Sequence, residues 1–226
     1  MRLLLTSAGV RNPSIHDALL SLLGRPVADC DALCIPTALY GHPAVGPGLN
    51  ARDFITGRTD DMTGLGWKSV GVLELTALPT IDERLWVPKV RAADVLLVSG
   101  GDALYLNHWM RESGFADLLP SLTETVYVGM SAGSMVTTPR IGEWFVEWPP
   151  PSGDDATLGL VDFSIFPHVD HPMLPYNTMA AAEKWAAGIG GPAYAIDDET
   201  AIVVADGSVE VVSEGHWKLL GDRLAR

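Results

Sequence analysis

The chain has 226 residues and a mass of 24.2 kDa, with 47% hydrophobic and 19% charged residues, enough for a buried core and too apolar for a disordered chain. Fifteen Lys+Arg against 28 Asp+Glu leave a formal net charge of −13 and a pI near 4.7. This argues against a non-specific nucleic-acid binder or a protein held on anionic membranes, since both need a basic face.

In chain order, Arg2–Thr6 reads as a strand, Pro13–Leu23 as a helix and Leu33–Pro36 as a strand. Cys30 and Cys34, the 2 cysteines, are too few for a disulfide framework and lack the partners of a zinc site, so they read as buried structural thiols. Strands follow at Ser69–Leu75 and Asp94–Ser99, a helix at Leu104–Leu118, and strands at Thr125–Met130 and Asp162–Pro167. A helix over Asn177–Ala187, started by Asn177 and stopped by Gly188, precedes a strand at Ala193–Asp197. Most of the strands are continuous Val/Ile/Leu runs, as in a sheet buried on both faces. Ala201–Ala205, the turn Asp206-Gly207 and Ser208–Val212 form a β-hairpin pattern. Trp144–Gly153, rich in Trp and Pro, reads as a loop, either a lid, an interface or a rigid surface segment.

Such alternation predicts an α/β fold: a doubly wound, mostly parallel sheet with helices on both faces, plus the C-terminal hairpin, with residues 1–226 as a single domain. The apolar run near Met1 is too short for a signal-peptide core, and no apolar stretch approaches the roughly 18 residues of a membrane span. A soluble, cytoplasmic protein is expected.

Gly129-Met-Ser131-Ala-Gly133 is a G-x-S-x-G pentapeptide directly after a predicted strand. A serine at a strand-to-helix turn is held strained, with its hydroxyl above the sheet edge, and the next amide, that of Ala132, can face an oxyanion. The bland alternative is a serine that merely caps the next helix. Ser134, one turn further on, is a poorer candidate. A second glycine turn, Gly100-Gly101-Asp102, follows the strand Asp94–Ser99, and its amides can stabilise negative charge or serve only turn geometry. Gly100, Asp102 and Arg140 are candidate substrate-binding residues.

A serine hydroxyl needs a base. Of the 6 histidines, His168 ends a strand, where groups in open α/β sheets meet ligands at the carboxyl edge, and His171 is its near competitor. An orienting carboxylate is available in Asp197-Asp198-Glu199, and the sequence leaves the choice among them open. The order Ser131, His168, Asp198 differs from the Ser, Asp/Glu, His order of α/β-hydrolases, which would need the poorly placed His216. His168-Val-Asp-His171 lacks a further ligand cluster, so no metal is expected.

At Val98–Leu106, Tyr127–Ser134, Ile165–His168 and Ala195–Ile202 the chain resembles the peptidase E family, closest to its peptidase E-like subgroup. The resemblance spans nearly the whole chain and implies a flavodoxin-like, class I glutamine-amidotransferase-like fold. It implies Ser131 as nucleophile, His168 as general base, Asp198 in the acid position, where the family commonly has glutamate, and Gly101 and Ala132 as oxyanion-hole amides. The activity implied is a serine peptidase acting on dipeptides or short peptides, with no metal or organic cofactor. The partner expected is a small peptide substrate, with no nucleic acid or membrane, for a monomer or homodimer. Aspartate-specific members of the family carry an arginine where this chain has Met179, and from Tyr127 to Thr200 the cations are Arg140 and Lys184. A neutral substrate is therefore expected, unless one of those two substitutes. Other readings are a cyanophycinase-like or peptide-antibiotic-cleaving hydrolase, or a non-catalytic small-molecule-binding domain. A glutamine amidotransferase is disfavoured by serine in place of cysteine at 131.

Overall fold

A computed structural model describes residues 1–44, 48–58 and 62–221. Along the chain run β1 (Arg2–Thr6), α1 (Pro13–Leu23), β2 (Asp31–Ile35), α2 (Ala38–Gly41), α3 (Leu49–Ile55), β3 (Ser69–Val72), α4 (Glu83–Ala92), β4 (Val95–Val98) and α5 (Ala103–Glu112). They are followed by α6 (Phe115–Leu118), β5 (Val126–Met130), α7 (Ala132–Met135), β6 (Ser164–Phe166), α8 (Met179–Ile189), β7 (Ala193–Ile196), β8 (Thr200–Ala205), β9 (Ser208–Ser213) and β10 (Trp217–Leu220).

Successive side chains of a strand point to opposite faces, and here both faces are apolar. Leu3, Leu5, Ile35, Leu96, Val98 and Tyr127 pack with Trp86 and Val90 of α4 and Leu104, Leu106 and Met110 of α5. Leu4, Cys34, Val95, Leu97, Val126 and Val128 pack with Ile15, Leu19 and Leu22 of α1 and Phe54 of α3. Each fully buried Leu, Ile or Val contributes about 1.5–3 kcal/mol. The seven-stranded sheet has the order β3-β2-β4-β5-β1-β8-β9, parallel from β3 to β1 and antiparallel at β8 and β9. The fold is thus the expected α/β arrangement of a mostly parallel sheet covered on both faces, with the β8–β9 hairpin at one edge. Both cysteines are buried and unpaired, and burial pushes the Cys34 thiol up to about 11.

The sheet membership of two strands needs correcting. β6 and β7 do not join the central sheet; with β10 they form a separate three-stranded sheet in the order β10-β7-β6, backed by α8. A continuous apolar run announces a strand buried on both faces but not the sheet it enters. Smaller corrections concern boundaries. The expected helix Leu104–Leu118 is broken at Ser113-Gly114, where Gly114 takes φ 73°, into α5 and α6. α8 is capped by Thr178, whose side chain accepts the Ala181 N–H, and ends at Gly190, not at Asn177 and Gly188. The strand expected at Ser69–Leu75 ends at Val72, and the chain then enters a 3-10 turn over Leu75–Thr80. Among the described residues no helix is long and apolar enough to cross a membrane.

Candidate active site

β5 runs parallel between β4 and β1, with Thr6 beside Met130 and Val98 beside Gly129, so three strands end together at one edge. Ser131 follows β5 at φ 50° and ψ −111°, and its N–H donates to the Thr6 carbonyl at 3.0 Å. It stands at the N-terminal end of α7 but makes no side-chain cap hydrogen bond, so the capping role is not the one its hydroxyl fills. The glycines around it are required by close approach. A Cβ on Gly129 would lie 2.5 Å from the Gly133 carbonyl oxygen, and one on Gly133 would lie 2.4 Å from that of Val98. The buried Tyr127 hydroxyl donates to the Gly133 carbonyl at 2.6 Å, fixing the start of α7. Ser134 is buried and its hydroxyl donates to the Thr6 carbonyl at 2.8 Å, which occupies it structurally.

Gly101, at φ 132°, lies against α2, where a Cβ would fall 2.2 Å from the Ala38 carbonyl oxygen. Among the described residues, neither the Gly101 nor the Ala132 N–H donates to a backbone carbonyl. Gly100 adjoins the serine, with a hypothetical Cβ only 3.3 Å from Ser131 Cβ. Asp102, in contrast, is engaged on both oxygens: one accepts the Tyr105 N–H at 2.8 Å, capping α5, and the other accepts the Trp148 N–H at 2.9 Å. Its burial, against the hydrogen bonds it accepts, raises its pKa.

His168 leaves β6 at φ 58°. Its Nδ1 lies 2.6 Å from Asp198 Oδ1, so the imidazole with a proton on Nδ1 donates there and leaves Nε2 as the available nitrogen. Burial alone would raise the Asp198 carboxyl, but hydrogen bonds from His168 and Ser7, with the nearby His168 and His171 charges, hold it below the usual carboxylate range. His171 Nε2 is farther away, 3.4 Å from Asp198 Oδ2. The two neighbouring acids face elsewhere. Asp197 accepts from the Glu199 N–H, the Thr200 hydroxyl and the His216 N–H, while the Glu199 carboxylate takes the Asn12 amide at 3.0 Å. His216 is bound to Asp197 and Asp170 rather than to Asp198.

Ser131, His168, Gly100, Gly101 and Asp102 line one cavity of about 480 Å³, within the size range of small-ligand sites. Its apolar wall includes Met130, Met135, Trp144, Phe145 and Leu174; Arg11, His42 and Glu147 are polar members. Trp144–Gly153 therefore supplies part of the wall through Trp144, Phe145 and Glu147. The candidate cations fall outside. Arg140 is held by Asp155, at 3.0 Å from Nε and 2.9 Å from one terminal nitrogen, and does not line the cavity, nor does the exposed Lys184. Met179 packs toward the cluster of Phe166, Val169 and Trp185. The expectation that Arg140 contributes to substrate binding thus has no geometric support, because its charge is neutralised by a partner within its own loop.

Two lining or supporting residues gave no motif. Arg11 lies far upstream of the Tyr127–Thr200 stretch that carries Ser131 and His168. Ser7, fully buried after β1, accepts the His168 N–H at 2.8 Å and donates to Asp198 Oδ1 at 3.0 Å. The usable signal was its position: β1 ends beside β5, one residue before Ser7. Among the described residues, no group of three or more His, Cys, Asp or Glu could hold a metal ion.

The model of peptidase family S51 matches residues 3–212, and the chain belongs to that family. It is therefore a peptidase by family. Its fold is similar to that of a candidate peptidase E protein from Listeria monocytogenes EGD-e, with TM-score 0.69 and 20% identity over 95% of this chain and 98% of that one. It is also similar to a peptidase from an acI-B1 actinobacterium, with TM-score 0.63 and 20% identity over 96% of this chain and 88% of the other. No curated protein matches the chain.

Proposed function

We propose that the chain is a serine peptidase that hydrolyses dipeptides or other short peptides through an acyl-enzyme intermediate. Ser131 is the nucleophile, His168 the general base, Asp198 the carboxylate that orients it, and the Gly101 and Ala132 amides are the oxyanion donors. His168 Nε2 takes the Ser131 proton as Oγ attacks the peptide carbonyl, and returns it to the leaving amine as the C–N bond breaks. Water activated by the same nitrogen then cleaves the ester. Charge that develops on the carbonyl oxygen meets the two amides without any reorganisation of solvent.

One observation carries this reading: a strained serine whose hydroxyl does not cap its helix shares a cavity with a histidine committed through Nδ1 to a carboxylate at 2.6 Å. Membership of peptidase family S51 supports the class of reaction. The mainly apolar wall supports neutral substrate side chains. The reading is tested with a fluorophosphonate probe followed by mass spectrometry, alongside a dipeptide library with free and blocked N-termini. Modification should fall on Ser131 and vanish in Ser131→Ala, and some dipeptide should be cleaved. A chain that binds dipeptides without cleaving them, and that the probe leaves unmodified, would be the non-catalytic binding domain instead.

A further inference from the structure

The nucleophile and the base come from different sheets. Ser131 follows β5 of the central sheet, whereas His168 follows β6 of the small one. Their relative position therefore needs a connection that neither strand supplies. It is found at the end of β1, in two consecutive residues. The Thr6 carbonyl accepts the Ser131 N–H at 3.0 Å and the Ser134 hydroxyl at 2.8 Å. The Ser7 hydroxyl accepts the His168 N–H at 2.8 Å and donates its proton to Asp198 Oδ1 at 3.0 Å. The remaining contact, 3.3 Å from Ser7 Oγ to His168 Nδ1, is the longest of the three around this hydroxyl, consistent with Nδ1–H bonding to Asp198 instead.

From this geometry we infer that Ser7 is a positioning residue for the proposed base and acid: its hydroxyl docks the positive-φ His168 backbone onto the central sheet and holds the Asp198 oxygen that His168 uses. The assignment rests on the reading of Ser131, His168 and Asp198 given above. A hydroxyl is required because one group must accept from an N–H and donate to a carboxylate at once, which alanine cannot do and a carbonyl or amine can do only in part. Without it, the part-buried His168 N–H loses its partner and Asp198 Oδ1 loses one of its two donors. The other ionisable group facing Asp198 is His171, at 3.4 Å from Oδ2. Asp197 and Glu199 flank Asp198 in the chain and are turned to Thr200, His216 and Asn12, while Asp170 pairs with His216.

The test uses the full chain and the rate at which a fluorophosphonate probe modifies Ser131, measured across pH. Ser7→Ala is expected to slow the modification by about 10- to 100-fold, the range set by losing a charge-assisted hydrogen bond. It should also move the acid limb of the rate profile to higher pH, because the carboxylate has lost a donor to its ionised form. Ser7→Cys, which keeps a weak donor, should fall between Ser7→Ala and the parent. In an Asp198→Asn background, Ser7→Ala should slow the rate by much less than it does alone. A purely structural role predicts the opposite pattern: an unmoved acid limb and a full, multiplicative effect in the Asp198→Asn background. Either result, or an unchanged rate in Ser7→Ala, overturns the assignment. If the parent chain is not modified at Ser131, the Ser131 reading itself fails and this role falls with it.

Discussion

Ser131 and His168 both hold positive φ, 50° and 58°, a backbone conformation that costs a residue with a side chain about 1–3 kcal/mol. Such strain persists where surrounding bonds enforce it, here the Thr6 carbonyl on one residue and the Ser7 hydroxyl on the other. If the two side chains act as one unit, Ser131→Ala and His168→Ala should each reduce dipeptide hydrolysis by at least about 10³-fold, and the double variant should be little worse than either. A multiplicative loss, measured as kcat/KM, would instead point to separate roles. The three adjacent acids then separate by phenotype. Asp198→Asn should lower activity by roughly 10²- to 10⁴-fold, far out of proportion to its loss of stability, because an amide cannot stabilise the imidazolium. Asp197→Asn should instead lower stability by about 1–3 kcal/mol, since its oxygens hold the Thr200 hydroxyl and the His216 N–H. Glu199→Gln should do little to either. Thermal melts and rates on the three variants check the assignment, and an activity loss confined to Asp197→Asn would move the role there. In the sequence these acids were indistinguishable, because three consecutive acids differ only in the direction each one faces.

At the scale of elements, the turns after β4 and β5 are built from backbone in contact with backbone. Gly101→Ala would have to accept φ 132° and a Cβ 2.2 Å from the Ala38 carbonyl oxygen, and Gly133→Ala a Cβ 2.4 Å from that of Val98. Neither neighbour is a flexible side chain that could swing away. Each substitution is expected to destabilise the fold by about 2 kcal/mol or more, read from denaturant midpoints, whereas Gly188→Ala, with nothing within 4 Å, should be neutral or stabilising. The central strands were legible because Leu3–Leu5, Val95–Val98 and Val126–Val128 are apolar on both faces. α4 was not, because Pro88 inside it reads as a helix breaker, although Asp82 caps its start through the Arg84 N–H. β10 was not either: Trp217–Leu220 is a short run whose partner, β7, is 21 residues earlier at Ile196 opposite Trp217. Candidate residues at strand ends could be picked out, as with Ser131 and His168, but the hydroxyl that links their two sheets could not. Ser7 lies in a stretch whose meaning depends on β6, over 150 residues away, arriving beside it.

For the whole molecule, charge acts on stability and on substrate choice. Asp198 is depressed in the folded chain, so its ionisation stabilises the fold above the unfolded value of about 3.9, and that contribution is lost as pH falls through the lower folded value. Acid unfolding below about pH 4 should therefore be less steep for Asp198→Asn than for the parent, in denaturant titrations at successive pH values. Substrate choice depends on what the cavity offers an anion. A carboxylate entering a partly desolvated site needs a charge-assisted contact, which contributes about 1.5–3 kcal/mol. Arg140 is neutralised by Asp155, and Met179 lies in another cluster. Among the described residues lining the cavity, Arg11 is the lone arginine or lysine, and it is an exposed residue on a wall that also carries Glu147 and Asp102. Solvent screens an exposed guanidinium, so its attraction is worth closer to about 0–1 kcal/mol. The net charge of −13 opposes an anion further, although salt screens that field beyond about 8 Å. Asp-Xaa dipeptides should therefore be cleaved no faster than Ala-Xaa dipeptides, compared as kcat/KM at about 0.15 M salt. A preference for Asp-Xaa above about tenfold would require more than a screened contact supplies. If Arg11→Ala removed that preference and Arg140→Ala did not, acid recognition would belong to Arg11, on the cavity wall, and the expectation of neutral substrates would be wrong.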